Sequence, residues 1–193
     1  MEQLPNRKTN RLKQYNYSST GAYFITICVQ DKRCLLSTIG EADALHGPAV
    51  NLTEYGHLVL QNIEHTNASY SNAHVDHYVI MPNHVHLLIS IANNEQGGPP
   101  RSSTPTSAIP RMIAAFKKFT NKACGCSLWQ RSYHDHVIRN DEDYRQHWQY
   151  IDENPLEWTL GKDDYYAVGD DPRRPFVSRT NTIGRKTCYT SYW

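Results

Sequence analysis

The sequence predicts an α+β protein: an antiparallel sheet with helices packed against it. Three observations carry the prediction. Short β-branched and aromatic runs are bounded by turn residues. Longer segments repeat apolar residues at helical spacing. The two kinds of segment alternate along one chain of 193 residues, long enough to bury a core.

The first run, residues 22–29 (AYFITICV), reads as a strand. Residues 32–36 read as a short edge continuation, and a loop with Gly40, Gly47 and Pro48 follows. Thr53 reads as an N-cap, with Tyr55, Leu58, Val59 and Ile63 at helical spacing behind it. Residues 74–81 and 84–91 are strand candidates separated only by Pro82-Asn83, a hairpin signal. Residues 93–106 have loop composition, and Ile109, Met112, Ile113, Phe116, Phe119 and Ala123 then form the apolar stripe of a helix. Residues 133–138 read as a last strand. Asn140 caps a final helix whose first turn carries Asp141, Glu142 and Asp143, and Pro155 is expected to end it near Glu153. The first six elements follow the split βαβ, or ferredoxin-like, order.

The formal net charge is +1, which does not announce a nucleic-acid binder, so distribution matters more than the sum. Arg7, Lys8, Arg11 and Lys13 make the N-terminus basic, and Arg173, Arg174, Arg179, Arg185 and Lys186 lie in a polar C-terminal stretch. No run approaches the roughly 18 apolar residues of a membrane span, and the first residues lack a signal-peptide apolar stretch. The expectation is a cytoplasmic protein with no membrane partner. Cys124-Gly125-Cys126 looks like half of a metal site, but no second pair matches it.

Residues 81–89 read Met-Pro-Asn-His-Val-His-Leu-Leu-Ile. Strand side chains two apart share a face, so His84 and His86 project side by side, close enough to hold one metal ion. Val85, Leu87 and Ile89 would anchor the opposite face in the core. Other metal sites use His-x-His spacing, so the pair alone identifies no reaction. His74 and His77 on the neighbouring strand, three apart, are expected to face opposite ways.

In the final helix Tyr150 and Asn154 are four apart and share a face, with His147 one turn before Tyr150. That gives a candidate nucleophile, a candidate oxygen ligand and a polar neighbour; Tyr144 should project elsewhere. An attacking tyrosine would conserve the phosphodiester bond energy as a phosphotyrosine. On the central helix Arg111, Lys118 and Lys122 lie close to one face with Lys117 adjacent, a face that can neutralise phosphates. Trp129, Tyr133 and Trp148 are candidates for stacking unpaired bases, although at least one should belong to the core.

Four segments, YFITICV, VIMPNHVHLLI, WQRSYHDHVIRN and YRQHWQYIDENPLEW, occur in one order over residues 22–158. In them the chain resembles the HUH superfamily of single-tyrosine transposases, most of all the REP-associated tyrosine transposases; His84-Val85-His86 is the HUH motif. The resemblance implies a transposase domain over 22–158, flanked by a basic arm (1–21) and a polar tail (159–193). It also implies a divalent ion, Mg2+ or Mn2+, held by His84 and His86. The nucleophile would be Tyr150, and cleavage of single-stranded or hairpin DNA would leave a 5′-phosphotyrosine and a free 3′-hydroxyl. Related transposases place a third metal ligand one turn after the nucleophile. That position is Asn154, where many insertion-sequence relatives carry Gln. Monomer and homodimer are both compatible with the sequence. Two other readings are a non-catalytic hairpin DNA- or RNA-binding module and a metal hydrolase in which water attacks.

Overall fold

A computed structural model describes residues 21–43, 47–92 and 108–161. The basic arm before Gly21, the polar tail beyond Gly161 and the loop-composition segment 93–106 lie outside the described residues. In chain order the elements are β1 (Gly21–Cys28), a 3-10 turn (Gln30–Lys32), β2 (Ser37–Asp43), β3 (Gly47–Leu52), α1 (Glu54–Ser69) and β4 (Ala73–Ile80). After these come β5 (His84–Ile91), α2 (Ala108–Cys124), β6 (His134–Val137) and α3 (Asp141–Thr159).

Four strands form one sheet in the order β4-β5-β1-β6, and every neighbouring pair is antiparallel. β1 and β4, the strands of this sheet that come before and after α1 in the chain, are thus separated by β5. The predicted antiparallel sheet with packed helices is the observed architecture. The predicted caps also form: Gly56 N–H donates to Thr53 Oγ1 at 3.2 Å, and Asp143 N–H to Asn140 Oδ1 at 2.9 Å.

The sheet divides the molecule in two. One face carries Tyr23, Ile25 and Ile27 of β1 and Val85, Leu87, Ile89 and Ile91 of β5. They pack on Val59 and Ile63 of α1 and on Ile109, Met112, Ile113 and Phe116 of α2. This is the main core, where each large apolar side chain contributes roughly 1.5–3 kcal/mol by leaving water. The other face carries Phe24 and Leu88, which cluster with Val79, Met81 and with Tyr150 and Ile151 of α3.

Four sequence expectations fail. Residues 32–36 are not a strand, and the loop around Gly40, Gly47 and Pro48 is a two-stranded hairpin of β2 and β3. Its Ile39 and Val50 pack on the α3 cluster, so tertiary contact stabilises strands whose Gly and Pro content reads as loop. Pro155 does not end α3, which continues to Thr159. Proline withholds one N–H from the ladder, but continuation places Trp158 against that same cluster. Finally, β4 has a bulge between Val75 and His77. The extra residue shifts the alternation. His74 then pairs opposite Ser90 and His77 opposite Leu88, two positions on one face of β5, so the two histidines do not face opposite ways.

Candidate active site

His84 and His86 alternate with Val85 and Leu87 along β5, and all four are buried. The histidines therefore emerge on the α3 face while their neighbours fill the main core, as the two-residue period requires. Their Nε2 atoms approach to 3.0 Å. Each ring is held from behind through Nδ1: His84 at 2.7 Å from Asn83 Oδ1, His86 at 2.9 Å from Thr26 Oγ1. A carboxamide oxygen only accepts, so His84 Nδ1 carries the proton and its Nε2 presents a lone pair. Thr26 lies opposite His86 in the β1–β5 register, and its hydroxyl can serve either tautomer of His86.

Burial drives the titration of both rings. It lowers the His84 pKa to about 3, opposed by the nearby Asn154 amide and assisted by the charge of Lys32. Burial also holds His86 well below the ordinary imidazole value, with further lowering from His84 and His147. Both are neutral imidazoles at physiological pH, the form that binds a metal.

The same shifts predict acid sensitivity. Below about pH 6.5 the unfolded chain takes up protons that the folded histidines refuse. Stability therefore falls as pH drops through the window from the unfolded value towards the folded ones, by up to about 1.4 kcal/mol per pH unit for each ring. Chemical denaturation of the metal-free protein at neutral pH and near pH 5 checks this. The midpoint loss should be clearly smaller in a His84→Gln/His86→Gln double variant.

α3 lies over these rings. Tyr150 is buried, its ring 5.3 Å from the His86 ring in an edge arrangement and 5.8 Å from Phe24. One turn on, Asn154 is fully buried against His84. Neither its Oδ1 nor its Nδ2 has a hydrogen-bond partner of acceptable geometry. An orphaned buried polar atom is costly, on the order of 1–3 kcal/mol, and an ion bound to Oδ1 would offset the share that belongs to the oxygen. Two neutral imidazole nitrogens and one amide oxygen converge here. That donor set fits a divalent ion such as Mn2+.

Further residues frame the site without having been singled out by the sequence. Phe24 stacks on His86 at 5.0 Å, and its ring centroid is 4.7 Å from that of His147. Trp158 lies 6.3 Å from the His84 ring. Strand alternation gives Phe24 and Thr26 one common face; their partners follow only from the register. Tyr144 packs at the edge of the same cluster, with its hydroxyl turned to Asp76. Its hydroxyl donates to Asp76 Oδ2 at 3.1 Å, and burial followed by the Asp76 charge pushes its pKa up to about 12.

The basic residues of α2 do not meet the histidines and Tyr150. α2 packs on the opposite face of the sheet, where Arg111, Lys118 and Lys122 are exposed. Lys117 differs from them. Its Nζ donates to the carbonyls of Gln130 at 2.9 Å and Ser132 at 2.7 Å, and burial lowers its pKa to about 8. Of the candidate stacking aromatics, Trp129 is a core residue, 4% exposed, with Nε1 donating to Thr120 Oγ1 at 2.6 Å. Tyr133 lies under the Lys117 ammonium, and Trp148 is exposed but stacked on His77 at 4.1 Å. Cys124 and Cys126 are free thiols, and no cluster of ligand-type residues among the described ones includes them.

Comparison with known proteins places this geometry in context. No protein-family model matches the chain. A Haemophilus influenzae protein described as uncharacterized is 33% identical over 170 residues, covering 80% of this chain and 91% of its own. A second protein of that organism, a putative REP-associated tyrosine transposase, is 26% identical over 153 residues, 74% of each chain. Among solved structures, a REP-associated tyrosine transposase bound to a REP hairpin has a TM-score of 0.55 at 19% identity. The match covers 90% of this chain and 99% of that one. Among the described residues no helix is long and apolar enough to cross a membrane.

Proposed function

Because this chain is a relative of the REP-associated tyrosine transposases, we propose that it cuts and rejoins single-stranded DNA beside hairpins, with Tyr150 as nucleophile. One observation carries the reading. The facing Nε2 atoms of His84 and His86, the orphaned amide of Asn154 and the ring of Tyr150 meet on one face of the sheet. The comparison structure's hairpin supports the choice of substrate.

In this reading His84 Nε2, His86 Nε2 and Asn154 Oδ1 hold a divalent ion. When bound, the ion polarises a phosphate oxygen and offsets the charge that develops there. Thr26 and Asn83 keep the two imidazoles oriented with their outer nitrogens towards the site. α3 carries Tyr150 over the same spot, so its hydroxyl oxygen attacks phosphorus. The Tyr150 oxygen–phosphorus bond forms, the bond to the 3′-oxygen breaks, and a 5′-phosphotyrosine and a free 3′-hydroxyl result. Reversal with a different 3′-hydroxyl joins strands. Phe24, Trp158 and the β2–β3 hairpin wall the cluster with apolar groups.

Arg111, Lys118 and Lys122 are proposed as phosphate contacts on the outer side of α2, for DNA that does not enter the cleavage site. Lys117, engaged by two carbonyls, is proposed to brace the 130–132 segment while adding positive charge nearby. Lys118→Gln and Lys122→Gln should each flatten the plot of log affinity against log salt by roughly 0.7–0.9. An unchanged slope in both removes them from the interface.

The deciding experiment uses labelled hairpins with single-stranded flanks, the same sequence as full duplex, and Mn2+. Cleavage and a protein–DNA adduct resistant to denaturing electrophoresis are expected with the flanked hairpin only. Equal cutting of duplex contradicts the single-strand reading. Tight hairpin binding with no cutting points to a binding module.

A further inference from the structure

The first turns of α3 meet β6 through three ligand-type side chains that the proposed reaction leaves unused. His136 faces α3 from β6, and its Nε2 is 3.1 and 3.0 Å from the two carboxylate oxygens of Asp143. His147, one turn beyond Asp143, places Nδ1 3.1 Å from Asp143 Oδ1 and 2.8 Å from the Asp143 main-chain oxygen. The two imidazoles stack with centroids 4.6 Å apart at 18°. One ligand atom from each of the three lies within 4.8 Å of the others.

We infer that His136, Asp143 and His147 form a second divalent-metal site, separate from the His84–His86 pair, which ties β6 to the start of α3. Donors held about 2.1 Å from a tetrahedral ion are roughly 3.4 Å from one another. The two imidazole–carboxylate separations are within a few tenths of an ångström of that before any ion binds. The third edge, between the imidazoles, has to close around the ion. Two imidazole nitrogens and a carboxylate oxygen suit Zn2+ or Mn2+, with water completing the shell.

The carboxylate is already aimed. Its Oδ2 accepts from the Arg139 N–H at 3.0 Å, a support of the kind that orients metal ligands. Burial raises the Asp143 pKa, but hydrogen bonds from His136 and Arg139 and the imidazole charges outweigh it, so the group is held ionised. All three side chains keep partial exposure, 26%, 18% and 20%, which gives an ion a route in. Without an ion, the imidazole N–H groups spend their protons on Asp143, and loading displaces those protons to solvent.

Phe24 keeps the two sites apart, contacting His86 and His147 with the same ring. The second site is thus not a shared ligand set with the first. It fixes the turn of α3 that precedes Tyr150, and it does not depend on the proposed cleavage reaction.

The test is metal binding by the full chain. Zn2+ and Mn2+ are titrated calorimetrically at neutral pH, and bound metal is measured after dialysis. Wild type should take two ions, His84→Gln one, His136→Gln one, and the combined variant none. Zn2+ should also still raise the melting temperature of His84→Gln, and not that of the combined variant. His147→Gln is a second probe should His136→Gln fail to fold. The inference is overturned if both His136→Gln and His147→Gln bind as many ions as wild type, or if wild type binds one ion that His84→Gln loses. One ion kept by His84→Gln and lost by His136→Gln would uphold this site and sink the proposed catalytic ion, so the two readings fail separately.

Discussion

Tyr150→Phe is expected to abolish covalent attachment of the protein to cut DNA, a loss on the order of a thousand-fold or more, while hairpin binding stays close to wild type. The substitution removes one oxygen and keeps the ring that packs against His86 and Phe24. The aromatic packing should therefore persist, and the melting curve provides the control for folding. Tyr144 is the informative comparison, being on the same helix but engaged with Asp76. Tyr144→Phe should still form the adduct. Tyr133→Phe should form it too, since that ring lies under Lys117. An adduct of normal yield from Tyr150→Phe would reassign the nucleophile.

The second large effect is expected at the proposed metal ligands. His84→Gln and His86→Gln should each suppress cleavage across the whole Mn2+ range that supports wild type. Asn154→Ala should leave activity recoverable, with the half-saturating Mn2+ concentration raised roughly 10-fold or more. Thr26→Val is nearly isosteric but takes the hydroxyl from His86 Nδ1, where the pair is now 2.9 Å apart. Loss of such support typically costs about 10- to 100-fold in metal affinity. Direct Mn2+ binding in the absence of DNA should show the same order of effects. If half-saturation is unchanged in Asn154→Ala, the amide is only a buried helix residue and the third ligand lies elsewhere.

Much of this site is legible in the sequence because it is local. A two-residue period puts His84 and His86 on one face, and a four-residue period puts Tyr150 and Asn154 on another. What bridges the two is not local. Nothing in residues 37–52 says that a Gly- and Pro-containing stretch becomes a hairpin against α3. Nor does Pro155 announce that packing of Trp158 outweighs a missing N–H. The basic stripe of α2 is legible as a stripe, but the side of the sheet it covers follows from how the strands connect. The bulge before His77 is likewise set by pairing with β5, and it turns a histidine towards α3 that simple alternation sends the other way.

β5 carries the two proposed ligands and several buried core residues in strict alternation, and β1 pairs with it without interruption from Gly21↔Ile91 to Cys28↔His84. A slip of one residue would send Val85, Leu87 and Ile89 to the α3 side and both imidazoles into the packed interior. The misregistered chain would forfeit several buried aliphatic side chains and strand two polar rings among α1 and α2. Correct folding and correct presentation of the imidazoles are therefore a single event on this strand. A population of molecules that is folded yet miswired at the histidines is ruled out by energy, so the fraction of chains able to take up metal there should equal the fraction that is native.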